Sequence, residues 1–329
     1  MIITRTPLRV SFSGGGTDLS DFYLSDQGQV VSTAINKYVY ITINRLTPYF
    51  KNRILLKYSQ TELVDSIEEI EHPIIREAMR LTNVRDSVEI SSMADIPSGT
   101  GLGSSSSFTV GLLHALHAFR SQYVSSRQLA EEACAIEIDV LREPIGKQDQ
   151  YIAAYGGICD IRFNGDESVF VDHVLCKPST RVALQNNLLM FFTGTTRRAG
   201  SILEVQKATT NEKREVLTRM KALCSELLTV LREGHHLYRF GEILHQGWLN
   251  KRALVNQISN DSINEYYNKA IGAGAIGGKL LGAGGGGFLL FYVEPQNQDQ
   301  VRRDLDTLPE LHFGFEPQGS KVIYVSDEI

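Results

Sequence analysis

Residues 97–116 read PSGTGLGSSSSFTVGLLHAL: three separated glycines, four consecutive serines and then an apolar segment with helical spacing. Backbone N–H groups at a helix N-terminus have no partners and carry the positive end of the helix dipole, so anions bind there. Glycines allow positive φ angles and a close approach of the backbone to a ligand. The stretch is typical of a phosphate-binding loop, although the residues alone leave a flexible linker and a capped helix as alternatives. It is not the common P-loop, because no lysine follows Gly103.

The overall composition is that of an ordinary globular chain. The 329 residues suit two domains, and 42% of them are hydrophobic and 22% charged. A formal net charge of −5 without a long basic run argues against a nucleic-acid partner. No stretch reaches the roughly 18 apolar residues of a membrane span, and the N-terminus lacks the apolar run of a signal peptide. The four cysteines form no CxxC pair, so we expect a reduced, cytoplasmic protein.

Hydrophobic patterning predicts an α+β chain with a domain boundary near residues 178–187. Strands are predicted over 2–13, 30–45 and 87–93, and helices over 106–119 and 125–144. The second half is rich in helices and carries a small sheet. We therefore place one domain at residues 1–183 and a second at 184–329.

Two further glycine-rich stretches lie on either side of residues 97–116, which are therefore the second of three in chain order. TPLRVSFSGGGTDL, residues 6–19, puts Arg9 inside an apolar strand, where it needs an anionic partner, and Asp18 after a tight turn. Asp18 is well placed to bind sugar hydroxyls, although this stretch alone slightly favours a plain turn aspartate. GGKLLGAGGGGFLLFYV, residues 277–293, allows either two backbones or a backbone and a ligand to approach closely.

Two carboxylates lie in EIDVLREPIGKQDQYIAAYGG, residues 137–157. Glu137 falls on a mostly apolar helix face, where a charge is costly unless it is paired or binds a cation. Asp149 follows in a short polar segment. A phosphate-binding loop with two carboxylates meets the needs of phosphoryl transfer, in which one carboxylate holds Mg²⁺ and the other accepts or positions the attacking hydroxyl. The alternative for Glu137 is a rim residue of an amphipathic helix.

Taken together, these stretches resemble the motifs of the galactokinase, homoserine kinase, mevalonate kinase and phosphomevalonate kinase (GHMP) superfamily. Three motifs match in order, and DIPSGTGLGSSSSF fits the PxxxGLGSS pattern of the second. The segments STAINKYVYITI, IGKQDQYIAAYGG, FTGTTRRA and LHQGWLNKRAL are similar to those of the heptose 7-phosphate kinases within this superfamily. Where galactokinases carry Glu-His, this chain has Gly15 and Gly16, which puts galactose in doubt. The resemblance implies an N-terminal ATP-binding domain like domain 2 of ribosomal protein S5 and a ferredoxin-like C-terminal domain.

The resemblance also assigns roles to individual residues. Asp149 matches the catalytic aspartate, and Arg9 matches an arginine that holds this aspartate or the transferring phosphate. Ser105 and Glu137 match the Mg²⁺ ligands. Expected ATP contacts are Pro97, Ser98, Gly99, Thr100, Gly101, Leu102, Gly103, Ser104, Ser105 and Ser106. Expected sugar contacts are Gly14, Gly15, Gly16, Thr17, Asp18, Gly284 and Gly285. Arg197, Arg198 and Lys251 are candidates for holding a sugar phosphate, with solvated surface charges as the alternative.

The implied reaction is ATP-dependent, Mg²⁺-assisted phosphorylation of the C1 hydroxyl of D-glycero-D-manno-heptose 7-phosphate, which feeds nucleotide-activated heptose and surface glycan synthesis. A kinase for fucose, arabinose or galactose is the alternative within the same class. A non-catalytic nucleotide-binding regulator is the alternative from another class, and the presence of Asp149, Glu137, Arg9 and Ser105 argues against it. The expected partners are ATP and a sugar phosphate, with neither nucleic acid nor membrane, and homodimer formation is left open.

Overall fold

The computed structural model describes residues 1–196, 200–210 and 212–326 and confirms the α+β class. The strands are β1 (Ile2–Ser13), β2 (Gly28–Arg45), β3 (Ile54–Lys57), β4 (Thr61–Val64), β5 (Val88–Ala94), β6 (Ile158–Phe163), β7 (Val169–His173), β8 (Leu188–Phe192), β9 (Gly277–Leu280), β10 (Phe288–Tyr292) and β11 (Lys321–Val325). The helices are α1 (Ser20–Tyr23), α2 (Pro73–Leu81), α3 (Ser104–Phe119), α4 (Ser126–Cys134), α5 (Gln148–Tyr155), α6 (Pro178–Asn186), α7 (Gly200–Ala208), α8 (Arg214–Glu233), α9 (Tyr238–Arg252), α10 (Asp261–Gly272) and α11 (Pro295–Asp304).

A mixed eight-stranded sheet dominates the first half. Its strand order is β11-β1-β2-β5-β3-β4, and β6 and β7 continue it from the other half of the long strand β2. Helix α3 packs across β1 and β2 and is buried on most sides, as its apolar composition predicts. This packing brings the start of α3 to Arg9 in β1, since a Cβ on Gly103 would lie 3.1 Å from the Arg9 side chain.

The second half contains an antiparallel sheet in the order β8-β10-β9, together with helices α8, α9 and α10. The core is continuous between the halves, since Leu223 and Leu227 of α8 join the same cluster as Phe12 and Val31. The last strand, β11, pairs with β1 and therefore returns to the first sheet. A single division between residues 183 and 184 stays a prediction, and this pairing shows that the end of the chain does not remain with the second sheet.

The predicted strands over 2–13, 30–45 and 87–93 and the helix over 106–119 are confirmed to within two residues at each end. The predicted helix over 125–144 is confirmed as helical over residues 126–140, but its second half is not α-helical and it ends at Val140. It starts as expected, with the Ser125 hydroxyl accepting from the Gln128 N–H at 3.2 Å, but after α4 the backbone becomes π-helical over Ala135–Val140. No helix within the described ranges is long and apolar enough to cross a membrane.

Candidate active site

Arg9 and Asp149 form the centre of the site. Arg9 lies in β1 and is only 5% exposed, and Asp149 lies in the first turn of α5. The Arg9 Nε and Nη2 groups donate to the two Asp149 carboxylate oxygens at 2.7 Å each. Arg9 Nη1 donates to the Gly101 carbonyl, and the Arg9 backbone N–H donates to the Leu102 carbonyl at 3.0 Å. A bidentate ion pair of this kind fixes the direction of the carboxylate.

Asp18 supports the helix that carries Asp149. Its carboxylate accepts from the Gly16 N–H at 2.9 Å and from the Gln148 N–H, at the start of α5, at 3.3 Å. Burial raises the pKa of Asp18, which is 3% exposed, while the two N–H groups partly offset the rise. Asp18 is therefore more than a plain turn aspartate, because it ties the first motif to α5. Its contact with sugar hydroxyls stays a prediction.

The second glycine-rich stretch has the conformation that the sequence predicts. Gly99, Gly101 and Gly103 have φ angles of +76°, +85° and +74°. Gly103 is the N-cap of α3, and no described side chain caps this helix end, so the first-turn N–H groups stay available to an anion. Thr100 and Leu102 are buried, and the Leu102 carbonyl accepts from the Arg9 N–H, so these two residues anchor the loop. The capped-helix alternative therefore loses its support.

The four serines have different partners. The Ser107 hydroxyl donates to the Pro7 carbonyl at 2.8 Å, so it holds α3 on β1. The Ser105 hydroxyl donates to Glu137 Oε1 at 2.9 Å, and Ser106 is buried. Ser104 is the first residue of α3 and is partly exposed. Ser105 and Ser106 thus both reach the Glu137 carboxylate, and Ser105 is the one expected to accompany it at a metal ion.

Glu137 lies in the π-helical segment, a feature that is frequent at functional sites. It is 1% exposed, and burial raises its pKa to about 7, although hydrogen bonds from Gln150 and Ser105 act to lower the pKa. Gln150 Nε2 donates to Glu137 Oε2 at 2.7 Å, and the Gln150 Oε1 atom is buried without a partner among the described residues. A carboxylate and a hydroxyl side by side fit Mg²⁺, which prefers oxygen ligands. Within the described ranges no group of three or more His, Cys, Asp or Glu residues is placed to hold a metal ion.

The third glycine-rich loop packs against the second, backbone to backbone. A Cβ atom on Gly282 would lie 2.4 Å from the Gly101 Cα, and one on Gly287 would lie 2.3 Å from the Thr100 carbonyl oxygen. The Gly285 N–H donates to the Ile258 carbonyl at 2.9 Å. Gly282 and Gly287 thus serve close packing between the two loops, whereas Gly285 lies against Ile258. A further role of Gly284 and Gly285 in holding the sugar stays a prediction.

The structure describes only one of the three residues expected to hold a sugar phosphate. Arg197 and Arg198 lie outside the described residues. Lys251 is 9% exposed, so the alternative of a solvated surface charge is wrong for it. Its Nζ donates to the carbonyls of Leu280, at 3.1 Å, and Gly282. Whether it also reaches a sugar phosphate stays a prediction.

Sequence reasoning missed two polar groups near the site. Lys279 is buried in β9 and donates to the Phe12 carbonyl at 3.0 Å; burial and the neighbouring Arg9 lower its pKa to about 8. A lysine between apolar residues of GGKLLG gives the same signal that marked Arg9. The Ser11 hydroxyl is buried without a partner among the described residues. A Cβ on Gly15 would lie 3.7 Å from both Ser11 Oγ and Gln148 Nε2, so these two groups border the space beside Gly15.

The remaining first-motif residues shape the turn. Gly14 has a φ of +82°, and a Cβ there would lie 1.9 Å from the Gln29 carbonyl oxygen. Thr17 is buried, and its hydroxyl bonds to the Gly14 and Gln29 carbonyls. Gly14 and Thr17 therefore hold the loop on β2. Of the three glycines, Gly15 has the most open surroundings, and the expected sugar contacts of all three stay predictions.

Comparisons with known proteins agree on one family. The model of the GHMP kinases N terminal domain matches residues 55–157 and that of GHMP kinases C terminal matches residues 220–310, together more than half of the chain. D-glycero-alpha-D-manno-heptose 7-phosphate kinase of Campylobacter jejuni is 29% identical, over 89% of this chain and 90% of the relative. Galactokinase of Thermococcus kodakarensis is 24% identical, over 95% of both chains. The crystal structure of a D-glycero-D-manno-heptose 1-phosphate kinase from Bacteroides thetaiotaomicron is 26% identical with a TM-score of 0.81, over 99% of this chain and 100% of the other.

Proposed function

The chain belongs to the GHMP kinase family and is a sugar kinase, and from this premise we propose that it transfers the γ-phosphoryl group of ATP to the C1 hydroxyl of D-glycero-D-manno-heptose 7-phosphate. The products are ADP and the 1,7-bisphosphate, a precursor for nucleotide-activated heptose in surface glycan synthesis. The observation that carries the phosphoryl-transfer step is the Asp149 carboxylate, held by Arg9 beside an uncapped helix N-terminus.

Asp149 prepares the acceptor. An ionised carboxylate has about four lone-pair sites, and Arg9 uses two of them, so two remain for the acceptor hydroxyl. In this position Asp149 orients the hydroxyl oxygen toward phosphorus and takes its proton as the new O–P bond forms and the bond to the ADP oxygen breaks. Arg9 fixes the carboxylate, and its positive charge lies close to the transferring group.

The start of α3 prepares the donor. Its free N–H groups and the glycine backbone before it would receive the phosphate oxygens, which carry the charge that develops during transfer. Ser105 and Glu137 would hold Mg²⁺ together with these phosphates. When bound, this ion neutralises charge on the β- and γ-phosphates.

The choice of a heptose phosphate is supported by the relative at 29% identity and by the first-motif turn. Gly15 and Gly16 present no side chain where galactokinases carry Glu-His, and no atom lies within 3.7 Å of a Cβ built on Gly15. The space beside Gly15 leaves room for a larger sugar, whereas Gly16 lies against Gln206. We propose Arg197 and Arg198 as the groups that hold the terminal phosphate.

A substrate panel tests the proposal. Purified protein is incubated with ATP, Mg²⁺ and one of five sugars (heptose 7-phosphate, heptose 1-phosphate, galactose, fucose or mannose 6-phosphate), and ADP release is followed. We expect the highest kcat/KM with heptose 7-phosphate. The heptose 1-phosphate arm is needed because the two heptose kinase relatives are named for different phosphates.

The other outcomes each identify an alternative. A preference for galactose or fucose would replace the heptose proposal by another sugar 1-kinase; a fucokinase/guanylyltransferase of Bacteroides fragilis is 25% identical, although this chain spans only 35% of it. Nucleotide binding without turnover on any sugar would favour the regulator.

A further inference from the structure

Three buried cations lie near one another where α9 and β9 meet the end of β1. Arg9 has Asp149 as its partner, whereas Lys251 and Lys279 have no ion pair with any described carboxylate and donate to backbone carbonyls. Burial lowers the pKa of Lys251 well below its usual value, and Lys279 and Arg9 lower it further. A lysine that is buried without a carboxylate partner costs free energy, so Lys251 has a role other than that of a surface charge.

The contacts of Lys251 are concentrated on the third glycine-rich loop. Its Nζ donates to the Leu280 carbonyl at 3.1 Å and to the Gly282 carbonyl, which flank Leu281. An amine can make both bonds whether it is charged or neutral, since each form has at least two N–H groups. Lys251 therefore fixes the loop at the point where it leaves β9.

The third glycine-rich loop packs against the second, which is the loop expected to bind phosphate. A Cβ on Gly101 would lie 2.6 Å from the Leu281 carbonyl oxygen, and one on Gly282 would lie 2.4 Å from the Gly101 Cα. Two backbones this close cannot shift independently. The position of Gly101 thus depends on the position of residues 281–282.

Gly101 in turn holds the catalytic pair. Its carbonyl accepts from Arg9 Nη1, while the other two donor groups of the Arg9 side chain bond to Asp149. A Cβ on Gly103 would lie 3.2 Å from Asp149 Oδ2, so the loop also limits where the carboxylate can move. One continuous set of contacts therefore runs from α9 through both glycine-rich loops to Asp149.

We propose that Lys251 is a positioning residue for phosphoryl transfer: by holding the third glycine-rich loop against the second, it fixes Arg9 and Asp149 relative to the bound nucleotide. The inference rests on the kinase reaction proposed above, but not on which sugar is the acceptor. It differs from the expectation that Lys251 binds the sugar phosphate directly, and the two have different kinetic consequences.

Lys251→Met removes both hydrogen bonds and keeps a long, unbranched side chain. We expect kcat to fall roughly 10- to 100-fold, the scale of a displacement of about 1 Å between reacting groups. The KM for the sugar and the Kd for a non-hydrolysable ATP analogue should stay within about threefold. Arg252→Met is the matched control, because Arg252 is the neighbouring, exposed cation of α9; this variant should retain wild-type kcat.

Hydrogen exchange gives a readout that needs no substrate. In Lys251→Met, the amides of residues 98–106 and 281–287 should exchange faster, while those of the β8-β10-β9 sheet are unchanged. Because this measurement needs no substrate, it tests the role of Lys251 even if the proposed reaction is wrong. Lys251→Arg, which retains the donors, should restore slow exchange and most of kcat, and it serves as the test if the Met variant does not fold.

Two results would overturn the inference. A rise in the KM for the sugar phosphate with unchanged kcat and unchanged exchange would make Lys251 a direct ligand. Full additivity of Lys251→Met with Arg9→Lys in a double-mutant cycle would show that Lys251 does not act through the catalytic pair.

Discussion

Asp149→Asn separates catalysis from folding and from nucleotide binding. Asparagine keeps one acceptor oxygen but turns an NH₂ group toward the guanidinium of Arg9, so one of the two 2.7 Å bonds is lost. A buried donor without a partner costs about 1–3 kcal/mol. Loss of a general base lowers the rate by about 10²- to 10⁴-fold. The stability cost is smaller than the 5–15 kcal/mol that typically holds a domain folded, so the variant should stay folded while turnover nearly disappears.

The assay compares three quantities for wild type, Asp149→Asn and Asp139→Asn. Asp139 is an exposed carboxylate of the same half and serves as the control. We expect kcat to fall by at least about 10²-fold only in Asp149→Asn. The Kd for a non-hydrolysable ATP analogue should be unchanged or lower, because a negative charge beside the phosphates is removed. The Tm should fall by only a few degrees.

Two results would refute this reasoning. An equal loss of nucleotide affinity and turnover would mean that Asp149 organises the nucleotide site rather than the acceptor. A kcat within about threefold of wild type would remove Asp149 from proton transfer altogether.

Three further predictions follow from the same site. Burial raises the pKa of Glu137 to about 7, so wild type loses stability as pH rises from about 4.5 to 7. Without Mg²⁺, Glu137→Gln should therefore have a higher Tm than wild type at pH 8, and this difference should close below about pH 4.5; a difference that does not change with pH would show that ionisation of Glu137 is not its cause. Gly101→Ala should lower both Tm and kcat because its Cβ meets backbone at 2.6 Å, whereas Gly272→Ala, with nothing within 4 Å, should leave both at or above wild type. Asp18→Asn should lower kcat roughly 10- to 100-fold because the Gln148 N–H at the start of α5 loses an acceptor; initial rates with wild-type kcat would exclude this support.

The sequence indicated much of the site because each key residue breaks a local rule. Arg9 is a charge inside an apolar strand, Glu137 is a carboxylate on an apolar helix face, and the glycines stand where positive φ angles are needed. Such conflicts between local pattern and burial are expected at functional sites. They show which residues matter but not which of them meet.

The contacts that organise the site join distant parts of the chain, and local patterns carry no information about them. Asp149 is 140 residues from Arg9, and Gly282 meets Gly101 only because two halves of the chain pack together. On helix α9, Trp248 is buried and Arg252 is exposed, so the residues around Lys251 do not predict whether it is buried. Its burial results from the packing of α9 on β9. The return of β11 to β1 depends in the same way on long-range pairing.

The position of the new phosphate on the sugar is the direct test of C1 phosphorylation. Wild-type protein, ATP, Mg²⁺ and D-glycero-D-manno-heptose 7-phosphate are incubated, and the product is examined by ³¹P NMR with proton coupling. We expect a second sugar phosphate whose phosphorus couples to the anomeric proton, with the 7-phosphate signal retained and one ADP formed for each. ADP formation without this signal, or a phosphate coupled to any other ring proton, would contradict C1 phosphorylation.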